Sequence, residues 1–498
     1  MLKILSTNQI RELDAYTIKH RPIDSIDLME NACRAIFNWF TENYNVGCTI
    51  GIICGTGNNG GDGLGVARML EYGGYNVRVW IIQGSMPESA DFKINLERLA
   101  DKVEVAYITD NISPETFQNN DVLVDAIFGS GLSRPPEGIY AAVINCVNEL
   151  SIQKIAIDIP SGLMADVPSE GAIIRAKYTL AFQVPKLAFL FPDHFAFVGN
   201  WVLLDIGLHK EFLKKVETPY FYFVKKDVRK ILRVRSKFDH KGKFGHALLV
   251  AGAYGKMGAA VLAARAALRS GLGLLTVHVP RSGYNVIQSS VPEAMASIDD
   301  HQDFFSSPPS LSSFTVIGIG PGLGVADQTV RAFQKMLMLR KIPFVIDADA
   351  LNILAENRDF LQSVPEGSIL TPHPKEFERL VGEWKNEFER LEKQQKLAKD
   401  LKSVVILKGA NTSIAAPDGT VYFNSSGNPG MAKGGCGDVL TGILTGLMAQ
   451  QYSALEAAQL GVFLHGFAGD LAAYETGMNS LIASDVTDLL PEAFKRAG

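Results

Sequence analysis

The sequence predicts an α/β protein of two successive domains, each with a mainly parallel sheet covered by helices on both faces. Three observations carry this prediction. Short continuous apolar runs recur along the chain, among them Thr49–Cys54 (TIGIIC) and Ala247–Ala251 (ALLVA), and a strand buried on both faces has no polar side to show. Segments with helical spacing separate these runs, which is the pattern of β–α–β units. Between residues 208 and 226 the texture changes, with Lys210, Lys214, Lys215, Lys225 and Lys226 gathered around Pro219. A second strand–helix series starts beyond it, so the expected domains are 1–215 and 223–498.

Taken in order, residues 8–42 read as helical. Thr49–Cys54 is a buried strand, and Leu64–Tyr72 is an amphipathic helix. Asn76–Ile82, Val122–Ile127 and Ile155–Ile159 are further strands. The aromatic-rich stretch 178–206 reads as closing strands without an intervening helix. In the second series Ala247–Ala251 is a strand and Gly258–Ser270 an Ala-rich helix. Leu274–Val279, Thr315–Ile319, Phe344–Ile346, Ile369–Leu370 and Val404–Leu407 are strands. Residues 375–402 carry mixed charges at helical spacing, as a solvated helix face does. The last ~60 residues are helical and rich in Ala and Leu.

Composition removes several function classes. Lys and Arg number 48 against 53 Asp and Glu, so no basic excess points to nucleic acid. The five cysteines show no CxxC spacing, which argues against a disulfide framework or a structural zinc site and for a reducing cytoplasm. The 17-residue uncharged run between Asp438 and Glu456 is short of a membrane span.

The first strand runs into Gly55-Thr-Gly-Asn-Asn-Gly-Gly-Asp-Gly63. Glycines there permit a tight turn, and free N–H groups at a helix start attract phosphate. The second strand leads into Gln83-Gly84-Ser85 with no acid in place, which argues against ordinary dinucleotide redox chemistry. Asn58, Asn59 and Asp62 put side-chain oxygens in this turn. Asp125 lies at the end of one later strand and Asp158 at the end of another. Carboxyl ends of parallel strands line one crevice, and such hard oxygen donors suit K⁺ or Mg²⁺. The plain alternative is that the two acids only cap turns.

LSTNQIRELD at the N-terminus, LMENA at 28–32, GNNGGDG at 57–63, DAIFGSGL at 125–132 and DIPSGL at 158–163 together resemble the epimerase domain of NAD(P)H-hydrate repair enzymes. The resemblance covers about residues 1–210 and implies a Rossmann-like three-layer α/β/α fold. It also implies that Asn58, Asn59, Gly60, Gly61 and Asp62 contact the nucleotide substrate. Gly129, Ser130, Gly131, Leu132, Ser133, Arg134 and Pro135 would do so too, with Tyr140 a further contact. Asn59, Asp125 and Ser161 would hold K⁺. Asp158 would meet the reacting end of the substrate, where a carboxylate suits proton transfer at a hemiaminal carbon.

In the second half, Asn428-Pro-Gly-Met-Ala-Lys-Gly-Gly-Cys-Gly-Asp438 precedes VLTGILTGLMA. The apolar spacing predicts a buried helix beginning near Asp438, so unsatisfied N–H groups face a glycine-stripped loop and form an anion hole. A carboxylate at its edge can take a proton from an attacking hydroxyl during phosphoryl transfer. A bland N-terminal helix acid is the alternative. No Walker A or protein-kinase motif set is present. The GGCGD string resembles the ribokinase-like fold.

KFGHALLVAG at 243–252, GKMGAAVLAARAALRSGLGLLTV at 255–277, GIGPGLG at 318–324, DADALN at 347–352, TPHPKEFERL at 371–380 and KGANT at 408–412 resemble ADP/ATP-dependent NAD(P)H-hydrate dehydratases over about 225–498. The resemblance implies that Lys408, Gly409, Ala410, Asn411 and Thr412 hold the adenine nucleotide, together with Asn428, Met431, Ala432, Gly434, Gly435, Cys436 and Gly437. Ala259, Gly322, His373 and Asp438 would hold the hydrated coenzyme, with Asp438 catalytic. His373 lies between two prolines, a position that favours a ligand role, and Glu376 would help place Mg²⁺.

The combined expectation is a bifunctional enzyme that epimerises R and S hydrates of NADH and NADPH and dehydrates the S form. The fused arrangement resembles enzymes that spend ADP, with ATP the other choice. Expected partners are the hydrated coenzyme and an adenine nucleotide, in a homo-oligomer without nucleic acid or membrane. A ribokinase-like small-molecule kinase with a non-catalytic N-terminal module is the competing reading.

Overall fold

The computed structural model describes residues 1–498 except Asp101, Asn111, Arg340 and Lys341. The chain divides into two compact units, one of Leu2–Thr218 and one of Pro219–Gly498 with Met1.

In the first unit, seven strands form one sheet, all of whose pairings are parallel. Across the sheet the order is Glu104–Ile108, Asn76–Ile82, Thr49–Cys54, Val122–Ala126, Gln153–Ile157, Tyr178–Phe182, Asn200–Leu204. The chain therefore leaves Thr49–Cys54 in one direction and returns on its other side at Val122–Ala126. Loops after two such strands diverge and open a crevice at the carboxyl ends. Ile50, Ile52 and Val124 are buried, as strands covered on both faces require.

The expected 8–42 helix is two, Thr7–His20 and Ser25–Asn43. Pro22 lies between them, where it cannot continue a helix. The expected glycine-rich turn is also helical, because the helix placed at Leu64 starts at Asn58 and runs to Tyr72. A Cβ at Gly60 would sit 1.8 Å from the Gly55 carbonyl oxygen. The glycines thus let the helix press on the turn behind it. Residues 178–206 hold, besides two strands, the short helices Leu187–Leu190 and Phe195–Val198.

The second unit's sheet runs in the order Met295–Ile298, Leu274–Val279, His246–Val250, Val316–Ile319, Phe344–Ile346, Ile369–Leu370, Val404–Leu407, Ser413–Ala415, Val421–Asn424, Tyr220–Phe223. Pairings are parallel through Val404–Leu407, and two antiparallel pairings follow. Its crossover lies between His246–Val250 and Val316–Ile319. One face is covered by Met257–Arg269, Cys436–Ala449, Ala454–Thr476 and Ala483–Ala497, which share one buried cluster. A Cβ at Gly442 would meet the Ala263 carbonyl oxygen at 2.1 Å. Small residues on both helices allow that contact and so fix where the helix head at Asp438 points.

The 375–402 stretch is not simply a solvated face. It forms Pro374–Val381 and Glu387–Asp400. Gln394 is buried and donates to the Val405 and Ser413 carbonyls at 2.9 and 3.0 Å. Among the described residues, no helix is long and apolar enough to cross a membrane.

Candidate functional site

A cavity of about 400 Å³ opens at the crossover of the first unit. Thr56–Asn59 and Asp62 line it from the first strand's end, Ile127–Leu132 from the fourth, and Asp158 from the fifth. Ile10, Arg11, Leu13 and Asp14 of Thr7–His20 form the opposite wall, where Arg11 donates to the Gly131 carbonyl at 3.2 Å.

Asp158 follows directly after Gln153–Ile157 and has φ 66°. A left-handed non-glycine residue is strained, and such strain gathers at functional sites. Its Oδ2 accepts from the Ser130 N–H at 2.8 Å, and its Oδ1 pairs with Lys186 Nζ at 2.7 Å. The Lys186 side chain is 1% exposed. Burial alone would raise the Asp158 pKa, but Lys186 and the Ser130 donors overcome it and hold the group below the usual carboxylate range. Asp62 is buried, and desolvation with the nearby Asp158, Asp14 and Asp91 charges pushes its carboxyl well above the usual carboxylate range.

Asp125 and Ser161 join two strand ends. Ser161 donates to Asp125 through its hydroxyl at 2.5 Å and its N–H at 2.7 Å, and its Oγ accepts from the Phe128 N–H. Desolvation raises Asp125 to about 6 against these hydrogen bonds. Asn59 is buried, with its Nδ2 unpartnered, and a Cβ at Gly129 would lie 3.5 Å from Asn59 and 3.1 Å from Asp158 Oδ2. Asn59, Gly129 and Asp158 are thus neighbours, while Gly60 and Gly61 sit behind the wall. Ser133, Arg134 and Pro135 are not among the lining residues, and Ser133 and Arg134 are exposed. Tyr140 stands apart from the cavity. Its ring lies in the core beside Phe128, 4.9 Å between centroids.

The second unit holds a cavity of about 840 Å³. Three neighbouring strands deliver its charged groups, because Asp347, His373 and Lys408 each follow a strand's carboxyl end. Lys408 Nζ pairs with Asp347 Oδ1 at 2.7 Å, and Thr441 Oγ1 donates to Asp347 Oδ2 at 2.7 Å. Glu376 lies 3.9 Å from Lys408, and burial raises its pKa. His373 is less free than its prolines suggested. It caps Pro374–Val381, and its Nδ1 accepts from the Lys375 and Glu376 N–H groups at 3.1 and 3.2 Å. In the neutral ring the proton is therefore on Nε2.

The helix Cys436–Ala449 begins at this cavity. Gly435 takes φ 94°, and a Cβ there would meet Leu262 at 2.7 Å and Ala483 at 2.9 Å. Gly434 has open space before it, and the Gly437 Cβ position is 3.6 Å from both Asp347 Oδ2 and Lys408 Nζ. A helix start, a lysine and a bare glycine wall are thus brought to one place, a combination whose chemistry suits an anion. Asp438 stands in the first helical turn. Burial first, then the Asp347 and Asp349 charges, raise it to about 6 against the pull of Lys408.

Gly409, Ala410, Thr412, Asn428, Met431, Ala432 and Cys436 also line this cavity, whereas Asn411 does not. The Asn428 amide is engaged within its loop, accepting from the Gly430 N–H and donating to Asp470. Ala259 and Gly322 lie outside the cavity wall, beside each other at the unit's crossover, where the Gly322 Cβ position is 3.1 Å from Ala259. Asp349 joins the two places, because it pairs with Lys256 at 3.5 Å and accepts from the Gly324 N–H.

Sequence reasoning missed four groups. Lys186 stands alone in the apolar stretch VPKLAFLF, and that isolation was a usable signal. Asp14 reads as an ordinary acid of an amphipathic helix. Asp347 opened a motif without a role of its own. His465 hides in an Ala/Leu-rich helix, where its ring donates to the Cys436 carbonyl and burial lowers its pKa to about 4. Its Nε2 is buried without a partner at the cavity wall.

Comparisons with known proteins agree in both halves. Residues 247–492 match the family model described as NAD(P)H-hydrate dehydratase, and residues 25–188 match the YjeF-related protein N-terminus. The bifunctional NAD(P)H-hydrate repair enzyme Nnr of Moorella thermoacetica is 37% identical over 98% of this chain and 96% of its own. The protein of the same name from Coxiella burnetii is 36% identical over 98% of each. Among solved structures, the ADP/ATP-dependent NAD(P)H-hydrate dehydratase of Bacillus subtilis, co-crystallized with ATP/Mg²⁺, is 33% identical at a TM-score of 0.50. It covers 56% of this chain and 99% of its own.

Proposed function

The chain belongs to the family of bifunctional NAD(P)H-hydrate repair enzymes, and from that premise we propose how its two cavities divide the work. The protein is an epimerase joined to a dehydratase, acting on NADH or NADPH that has taken up water across a ring double bond. The unit of residues 2–218 interconverts the epimers at the hydroxyl-bearing carbon C6. The unit from Pro219 onward restores the coenzyme from the S epimer and spends ADP or ATP.

Hydroxide is a poor leaving group, and its phosphate ester is a good one. The Gly434–Gly437 helix head and Lys408 bind the transferred phosphoryl group and stabilise its charge. Asp438 accepts the proton of the C6 hydroxyl as that oxygen attacks phosphorus. The ring nitrogen then expels phosphate, and loss of a proton restores the double bond. The observation that carries this reading is Asp438 in the first turn of a helix whose glycine-built head faces Lys408 across one cavity.

Mg²⁺ fits this cavity, because it takes one or two protein carboxylates and completes its shell with water and phosphates. Glu376 and Asp347 both line the cavity and are the carboxylates that would hold the ion. When bound, Mg²⁺ neutralises phosphate charge. In the first unit the buried oxygen set of Asn59, Asp125 and Ser161 fits K⁺. Turned over, the Asn59 amide puts its oxygen where its partnerless nitrogen stands. When bound, K⁺ supplies positive charge beside the substrate.

The test supplies the full chain with mixed hydrate epimers and either ADP or ATP with Mg²⁺, and follows the dihydronicotinamide absorbance band. The expected result is a fast phase equal to the S fraction and a second phase that carries recovery to completion. No recovery with either nucleotide overturns the proposal.

A further inference from the structure

Two carboxylates face the first cavity in opposite settings. Asp158 is paired with Lys186 at 2.7 Å and hydrogen-bonded to Ser130, so it is held as an anion. Asp14 lies across from it on Thr7–His20, half-buried and lining the same cavity. Among the described residues, Asp14 makes no hydrogen bond and no ion pair. Its helix is tied to the opposite loop by Arg11 and Gly131, so its position is defined even though its carboxyl is unengaged. A third acid, Asp62, lies deeper and is 9% exposed.

We propose that Asp14 is the general acid of the epimerase reaction, working opposite Asp158 as general base. This rests on the epimerase reading of the first unit. The hemiaminal hydroxyl gives its proton to Asp158, and the oxygen–hydrogen pair becomes the second bond of a carbonyl. The C6–N1 pair returns to the ring nitrogen, which takes a proton from Asp14. The resulting aldehyde turns about its C5–C6 bond, and the nitrogen adds to the other face. Both protons go back, so the two acids end as they began and no oxidant, reductant or co-substrate is consumed.

The surroundings support this division of roles. The groups facing Asp14 are Asp158, Lys186 and Asp62, with Arg11 on its own helix. Burial, then the Asp158 charge, raise Asp14 to about 7 against Lys186. A donor poised near neutrality can both give and retake its proton. Asp62, deeper and pushed well above the carboxylate range by burial and by the Asp158 and Asp14 charges, is the least suited of the three to act as an anion.

The experiment uses the full chain and pure S hydrate of NADH without adenine nucleotide, so that dehydration is idle, and resolves the epimers chromatographically. Wild type is expected to equilibrate them, with a rate that declines as pH rises through about 7. Asp14→Asn is expected to slow this by about 100-fold or more and to remove that alkaline decline. Dehydration of the S epimer with ADP is expected to persist in the same preparation. Asp14→Glu should regain part of the rate with a shifted alkaline limb. An Asp14→Asn rate within about three-fold of wild type overturns the proposal, as does a wild-type pH profile in Asp14→Glu if the Asn variant fails to fold. A wild type that does not equilibrate the epimers overturns the epimerase reading itself.

Discussion

Asp438→Asn is expected to lower turnover of the dehydratase by about 10²–10⁴-fold, the usual range for a lost general base, while epimerisation stays at its wild-type rate. The amide keeps the shape of the side chain and its place at the helix head but accepts no proton. The same substitution is expected to stabilise the second unit. The Asp438 pKa is about 6 in the folded chain against about 3.9 in an unfolded one. The stability tied to its protonated form is complete below about pH 4 and is lost as pH rises through 6. At neutral pH the ionised group therefore costs about 1–3 kcal/mol, and Asn removes that cost. Activity falling while Tm rises separates a catalytic role from a merely structural one. In wild type, kcat for dehydration is expected to fall as pH drops through about 6. A variant with unchanged kcat contradicts the assignment.

Asp158→Asn is expected to show the opposite stability signature. Epimerisation should drop by about 10²–10⁴-fold, with dehydration of pure S hydrate retained. Here the carboxylate is stabilised by its partners, so its charge contributes stability above the unfolded value, and that stability is lost as pH falls through the folded one. Substitution leaves Lys186, 1% exposed, without its counter-charge, and breaking a buried pair costs about 3–5 kcal/mol. A lower Tm is therefore expected, most marked near neutral pH. The double variant Asp158→Asn with Lys186→Met removes both charges and should recover stability without recovering epimerisation. Recovery of both would show that the aspartate serves only the fold.

The legible parts of the two sites were those written at strand ends. Asp125, Asp158 and Lys408 each stand at or just beyond the end of a continuous apolar run, so the run itself announces a strand and the polar residue its end. Asp438 was legible for the mirror reason, because the apolar period of Val439–Leu447 begins beside it. What remained hidden depends on residues far apart in the chain. Lys186 acquires its meaning only from Asp158, and the pairing is set by the sheet order of Gln153–Ile157 and Tyr178–Phe182. The Asn58–Leu64 turns of helix were read as a loop because glycine is a poor helix former, yet the packing of Gly60 on Gly55 demands it there. The strand Glu104–Ile108 was missed since it is a short edge strand with charged neighbours and only partial burial. His465 sits in a helix apolar nearly all round, where no period singles it out.

The central claim is that one chain carries two separate proton-transfer sites, one built on Asp158 and the other on Asp438. Mixing the two inactivated proteins tests it most directly. Pure R hydrate with ADP and Mg²⁺ is given to Asp158→Asn, to Asp438→Asn, and to both together, and the dihydronicotinamide absorbance is followed. Either variant alone should return the coenzyme at least about 100-fold more slowly than wild type, and the mixture should return it at a rate near that of wild type as the freed S epimer passes from one protein to the other. A rate with either variant alone near that of wild type, or no gain in rate on mixing the two, contradicts the account.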